Sequence, residues 1–192
     1  RGYRDSHKGG HGWVDLYSSI AESVNTYYYK LALDLGIKKF DFYMRQFGFG
    51  QATGIDLIGE NIGIVPSPEW KRKRLKQPWF KGETVIAGIG QGYWVVTALQ
   101  LAQGTASLAN GGNRIPLRIV KQTHTGLNQP WLALEKPASV SIGASQKHLD
   151  AIQRGMQDTM QSPRGTGYSI GKNAPYTIAG KNGTVQKISS KG

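Results

Sequence analysis

Cysteine is absent from the 192 residues, which excludes disulfide bonds and thiolate metal sites without choosing between a reducing and an oxidising compartment. No apolar run approaches the roughly 18 to 20 residues a helix needs to cross a bilayer, and the opening Arg1 to Asp5 has nothing of a signal peptide. Acidic residues are scarce, 12 against 24 lysines and arginines, so the formal charge is +12. That excess predicts attraction to something anionic without naming nucleic acid, lipid headgroups or a wall polymer. Internal repeats and low-complexity tracts are missing too. What is present is ordinary for a globular chain: 39% hydrophobic and 10% aromatic residues, enough for one domain or a large piece of one.

The first residues, through Gly9-Gly10-His11-Gly12, read as a loop. From Trp13 to Ala21 the apolar Val14, Leu16, Tyr17, Ile20 and Ala21 recur at spacings of three and four, which predicts an amphipathic helix. Ser23-Val24-Asn25 then falls at a helix end. Apolar spacing resumes over Tyr27 to Leu35, stops at Gly36 and returns from Phe40 to Phe47, so two short helices are expected. Residues 48 to 92, with frequent glycine and with Pro66, Pro68 and Pro78, read as long loops with little regular structure. A loop segment of that length in a compact domain is usually functional or in contact with a partner. Thr97 to Ala109 is the strongest predicted helix, stopped by Asn110-Gly111-Gly112. Strand-like runs follow at Ile115 to Thr123 and Trp131 to Leu134, then a helix over Gln146 to Met160 and a last strand over Tyr176 to Ala179.

Two polar motifs carry the chemistry. Ser23-Val24-Asn25 by itself reads as helix capping, because serine and asparagine side chains satisfy free backbone groups at helix ends. Lys181-Asn182-Gly183-Thr184, after Thr177-Ile178-Ala179-Gly180, is by itself an Asn-Gly hairpin turn. Together they resemble the second and third motifs of the penicillin-binding proteins, Ser-x-Asn and Lys-Thr/Ser-Gly-Thr. The stretch Ser23 to Ile37 extends the resemblance, as do Phe47-Gly48-Phe49-Gly50, Thr53-Gly54-Ile55-Asp56-Leu57 and Gly88-Ile89-Gly90-Gln91-Gly92-Tyr93-Trp94. These blocks keep the family's order and spacing over most of residues 9 to 110. The block from Glu69-Trp70-Lys71-Arg72-Lys73-Arg74 to Gln77-Pro78-Trp79-Phe80 is similar to the elongation-type class B members, the penicillin-binding protein 2 group, rather than to the division-specific type.

The resemblance implies an α+β fold of the serine β-lactamase and penicillin-binding transpeptidase kind, an antiparallel sheet flanked by helices with a mainly helical lobe. It implies that residues 1 to 192 are part of one transpeptidase domain, with the lobe and loops over about 13 to 110 and sheet-side elements over about 113 to 192. The implied reaction is D,D-transpeptidation of peptidoglycan stem peptides through an acyl-serine, a step that β-lactams intercept. Ser23 would relay a proton to the leaving amine, and Asn25 would hydrogen-bond the substrate amide and the motif lysine. Lys181 would hold positive potential at the scissile bond. Thr184 would offer its hydroxyl to the substrate carboxylate and its N–H to the oxyanion hole, and Gly183 would leave the substrate backbone room to approach. Asn182 departs from the family's threonine or serine. Its carboxamide can still donate to a carboxylate, but it is bulkier and carries a competing acceptor. No cofactor is implied. The implied partners are stem peptides, β-lactams, a membrane glycosyltransferase and proteins of the elongation machinery, not nucleic acid. The implied place is the periplasmic face of a bacterial inner membrane, held by an anchor outside this sequence.

The family's nucleophile motif, Ser-x-x-Lys, has one formal copy, Ser169-Ile170-Gly171-Lys172. Serine and lysine must sit one helical turn apart on one face. This copy follows Pro163, Gly165 and Gly167, precedes Pro175, and reads as a loop decoy on the wrong side of the Ser-x-Asn motif. The true serine is expected upstream of Arg1, with the chain cut at both ends. Asp5 and His11, with Asp15 nearby, are similar to part of a zinc site in some family members, but Val24 stands where those carry cysteine and cannot ligate. Lys71 to Arg74 reads as a solvated basic loop in which Lys71→Ala should leave acylation nearly unchanged. With Trp70, Trp79 and Phe80 it has the composition of a nucleic-acid patch without any nucleic-acid fold signature. Two other functions stay open: a catalytically silent wall-binding or assembly module, and an anionic-polymer binder working through the basic loop.

Overall fold

The computed structural model describes residues 3 to 5 and 7 to 184. In chain order its elements are α1 (Leu16–Ala21), α2 (Asn25–Leu35), α3 (Ile37–Gln46), α4 (Pro68–Leu75), α5 (Lys81–Ala87), α6 (Ala98–Ala109), β1 (Asn113–Arg114), β2 (Gln122–Thr123), β3 (Leu132–Ala133), β4 (Val140–Ser141), α7 (Gln146–Gln161) and α8 (Tyr168–Gly171). Contacts divide the chain into two compact units interleaved along the sequence. One is formed by residues 1–41, 66–94 and 145–192, the other by residues 42–65 and 95–144.

In the first unit Asp15 starts α1 with a reciprocal cap: its carboxylate accepts the Ser18 N–H at 2.8 Å, and Ser18 Oγ accepts the Asp15 N–H at 2.9 Å. α1 buries Ser19, Ile20 and Ala21 and packs against α7. The two helices approach at Gly155, where an added Cβ would lie 2.7 Å from Ile20 Cδ1, so only glycine allows the contact. α2 packs on α5, with Ala32 of the former and Val85 and Ala87 of the latter each 2% exposed. α8 lies against α7.

Residues 48 to 92 hold more regular structure than their glycines and prolines predict. Ser67 caps α4, accepting the Trp70 N–H at 3.1 Å, and Pro68 occupies the first turn, where a missing N–H costs nothing. Glu83 reaches back to the Phe80 N–H at 2.7 Å and starts α5. The solvated basic loop is likewise corrected: Lys71 to Arg74 are helical, and Lys71 is buried, 1% exposed. Its ammonium pairs with Glu83 and lies 4.5 Å from the Phe80 ring centroid. Burial alone would raise the Glu83 pKa. Hydrogen bonds from Lys71, the Phe80 N–H and Tyr93 outweigh it and hold the carboxyl below its usual range.

The second unit is organised around α6, capped by Thr97 and Gln100. The apolar positions that mark this helix in the sequence are not its buried face: Leu101 is 58% exposed, while Gln100, Gln103 and Ser107 are 1%, 3% and 1%. The buried amides serve backbone carbonyls of the surrounding loops. Gln100 Nε2 donates to Gln51 O and Ile62 O at 2.8 Å each, and Gln103 Nε2 to Thr53 O at 3.1 Å and Ile115 O at 2.7 Å. β1 pairs antiparallel with β4, Asn113 opposite Ser141, and β2 pairs antiparallel with β3, Gln122 opposite Ala133.

The antiparallel pairing and the mainly helical character expected of the fold are therefore present, as helices with two small sheets. The long strand predicted over Ile115 to Thr123 is not. Pro116 has no N–H, and the next donors go elsewhere: Leu117 N–H to Thr53 O at 3.0 Å, Ile119 N–H to Asp56 Oδ1 at 2.7 Å, and Val120 N–H to Asp56 Oδ2 at 2.9 Å. Residues 176 to 179 also form no ladder among the described residues.

Candidate active site

All the residues singled out for chemistry belong to the first unit. Ser23 sits in the turn between α1 and α2 with φ of 58°, a left-handed conformation that costs a non-glycine residue energy and is retained where the surroundings enforce it. Here they do. Ser23 N–H donates to Ile20 O at 3.3 Å, and Val24, 1% exposed, donates its N–H to Ser19 O at 3.0 Å. Val24, which cannot ligate a metal, thus serves as the apolar anchor of the turn. Asn25 is the first residue of α2 and is half-buried. The same helix start is held by Asp5, whose carboxylate accepts Thr26 N–H at 3.0 Å and Thr26 Oγ1–H at 3.2 Å.

The third motif comes back to this turn. Lys181 Nζ donates to Ser23 Oγ at 2.8 Å, bridging 158 positions of sequence, and also to Asn182 O at 3.1 Å and Asn182 Oδ1 at 2.9 Å. Three acceptors match the three donors of an ammonium. Lys181 as a residue keeps contact with water, yet the surroundings of its ammonium remove enough solvent to lower its pKa below that of an ordinary lysine. Because Ser23 Oγ accepts from Lys181, its own proton is free to be given to another group. This is the geometry of a proton relay. At Gly183 an added Cβ would meet nothing within 4 Å, so the space above the backbone is open. Thr184 is tied from the other side by Gln91, whose Nε2 donates to Thr184 O at 2.7 Å.

Ser23, Lys181 and Asn182 are therefore brought into one hydrogen-bonded cluster, with Asn25 beside it on the same turn. Sequence reasoning missed three members of the surroundings. Thr166 Oγ1 donates to Asn182 Oδ1 at 2.8 Å, and Arg164 pairs with Glu22, next to Ser23, at 2.8 Å. Neither Arg164 nor Thr166 stands out in its glycine-rich stretch. Gln91 lies within a block that carries the family resemblance, which was the one available signal. A polar cavity of about 540 Å³ opens here, lined by His7, Gly10, His11, Glu22, Arg164 and Thr166.

Ser169 and Lys172 are not in a loop as expected. They belong to the single turn α8 and its cap, because the Lys172 N–H closes back on Tyr168 O at 2.9 Å; both residues are exposed. Asp5 and His11 do meet, with His11 Nδ1 3.4 Å from Asp5 Oδ1, whereas Asp15 is engaged in capping α1. Among the described residues no three histidine or carboxylate side chains converge as metal ligands, and no helix is long and apolar enough to cross a membrane.

Residues 1 to 192 match the family described as the penicillin binding protein transpeptidase domain. The peptidoglycan D,D-transpeptidase MrdA of Escherichia coli is 37% identical over 190 residues, which are 98% of this chain and 30% of that protein. A crystal structure of PBP2 from Pseudomonas aeruginosa, in complex with WCK 5153, has a TM-score of 0.83 and 43% identity over 96% of this chain and 41% of that one. PBP2 from Helicobacter pylori, solved as a complex with MreC, has the same TM-score of 0.83 with 35% identity, covering 96% of this chain and 32% of that one. The chain thus spans about a third of the length of the relatives it resembles. It belongs to the penicillin-binding protein transpeptidase domain family.

Proposed function

We propose that this chain supplies the proton-relay and carboxylate-binding side of a peptidoglycan D,D-transpeptidase of the PBP2 type, acting with a Ser-x-x-Lys serine that is not among these residues. The observation that carries the reading is the 2.8 Å bond from Lys181 Nζ to Ser23 Oγ, which joins the two motifs in a partly desolvated site. In the reaction the serine attacks the carbonyl of an acyl-D-alanyl-D-alanine stem and forms an acyl-enzyme. The Ser23 hydroxyl passes a proton to the departing D-alanine nitrogen and then takes one from the amine of the acceptor stem. Asn25 holds the substrate amide. Lys181, through its charge, favours the oxyanion and the substrate carboxylate, and Asn182 and Thr184 contribute donors to that carboxylate. The exposed Ser169 and Lys172 take no part. The setting is the periplasmic face of an inner membrane, and the partners are a membrane glycosyltransferase and proteins of the elongation machinery, among them a protein like the MreC that is in complex with the Helicobacter pylori relative.

The test is intact-mass analysis, after incubation with a labelled penicillin, of the full-length protein containing this chain. One adduct per molecule is expected, on a serine outside these residues, and Lys181→Ala should slow its formation by roughly 100-fold or more, the scale of losing a transition-state donor. The 192-residue chain alone should take up no label. An adduct on Ser169, or full reactivity of Lys181→Ala, would contradict the assignment. Complete absence of acylation in the full-length protein would favour the catalytically silent module instead.

A further inference from the structure

We propose that Thr166 is a positioning residue for the third motif: together with Lys181 it holds the Asn182 carboxamide one way round, and so presents the amide's N–H donors to a carboxylate of the substrate. The inference rests on the transpeptidase reading above and deepens it. Lys181 Nζ carries only donors, so the Asn182 side-chain atom 2.9 Å from it is the amide oxygen. Thr166 Oγ1 stands 2.8 Å from that same oxygen. Thr166 has one hydroxyl proton and two acceptors in reach, Asn182 Oδ1 and, at 3.3 Å, Ala21 O; the shorter contact takes it. With two donors on Oδ1, the Nδ2–H₂ group faces away from both and keeps its hydrogens for an anionic group of the substrate. The threonine or serine usual at this position needs no such device, because a hydroxyl rotates to suit its partner.

Thr166 is itself held in place. Its N–H donates to Ala21 O at 3.0 Å, and two residues earlier Arg164 is paired with Glu22 at 2.8 Å. Both anchors lie on the end of α1, immediately before Ser23. The segment after α7 therefore clamps the turn that bears the second motif and, through one hydroxyl, orients the side chain that distinguishes this third motif.

A double-mutant cycle in the full-length protein tests this, with second-order acylation by a fluorescent penicillin as the readout. Thr166→Val should slow acylation about fivefold, the net worth of one hydrogen bond, and in the Asn182→Ala background the same change should cost less than about twofold. Thr166→Ser, which keeps the hydroxyl, should restore most of the rate. With the penicillin methyl ester, which presents no carboxylate, Thr166→Val should make less than about a twofold difference. If Thr166→Val fails to fold, Thr166→Ala takes its place in the same cycle. Equal losses in both backgrounds and with both ligands would show a merely structural Thr166 and overturn the inference while leaving the proposed function intact. If the unsubstituted protein is not acylated, both fall together.

Discussion

Lys71 and Lys181 are both lysines, and the structure gives them different surroundings. Lys71 is sealed in, 1% exposed, with its charge answered by Glu83 and by the faces of Phe80 and Tyr93. Removing one member of a buried pair leaves the other charge poorly compensated, so Lys71→Ala should destabilise the protein by about 2 to 4 kcal/mol, toward the lower part of the usual range because Glu83 keeps some contact with water. Arg72→Ala, on the exposed side of the same helix, should stay within about 0.5 kcal/mol. Urea denaturation of the two variants checks this; equal midpoints would show that Lys71 is not the structural residue its burial makes it. Lys181, by contrast, is only partly desolvated, and that loss of solvent lowers its pKa below that of an ordinary lysine.

At the scale of elements, the segment between β1 and β2 is shaped by one carboxylate. Asp56 accepts the N–H groups of Ile119 and Val120, and these bonds hold its pKa below the ordinary value. A carboxyl whose folded pKa is depressed contributes stability above its unfolded pKa, about 3.9, and loses that contribution as pH falls through the folded value. The Ile119 and Val120 amides should therefore be protected from hydrogen exchange at pH 6. They should lose protection in Asp56→Ala at that pH and in the unsubstituted protein on acidification below about pH 4, while the amides of α6 remain protected. Unchanged protection factors for Ile119 and Val120 in Asp56→Ala would rule out this role. The same bonds explain why an apolar, β-branched run failed to become a strand: its donors were already spoken for.

For the whole molecule, the feature with consequences is apolar surface left in water. Trp13 and Ile58 are fully exposed, Leu127 is 98% exposed, and Leu101 on the apolar side of α6 is 58% exposed. Large apolar side chains left in water favour association. The 192-residue chain on its own should self-associate as concentration rises, or require other segments of its parent protein to stay monodisperse. Analytical ultracentrifugation over a tenfold concentration range decides the matter, and a concentration-independent monomer with a cooperative melt would show that these surfaces need no cover.

Much of this was legible in the sequence wherever the signal is local. The spacing of Leu16, Tyr17 and Ile20, the stop at Gly36, the run from Thr97 to Ala109 and the run from Gln146 onward each mark a helix within a residue or a few of where it lies, because helix periodicity and its stop signals depend on near neighbours. The motifs Ser23-Val24-Asn25 and Lys181-Asn182-Gly183-Thr184 could be named for the same reason. What tertiary structure alone decided was everything that depends on residues distant in sequence: Lys71 inside rather than in solvent, the amide face of α6 buried in place of its leucines, and the backbone donors of Leu117, Ile119 and Val120 given to Thr53 and Asp56. It also decided that Lys181 reaches Ser23 and that Thr166 meets Asn182. No pattern within a short window specifies those contacts, since each is fixed by which loops the packed helices bring to the same place.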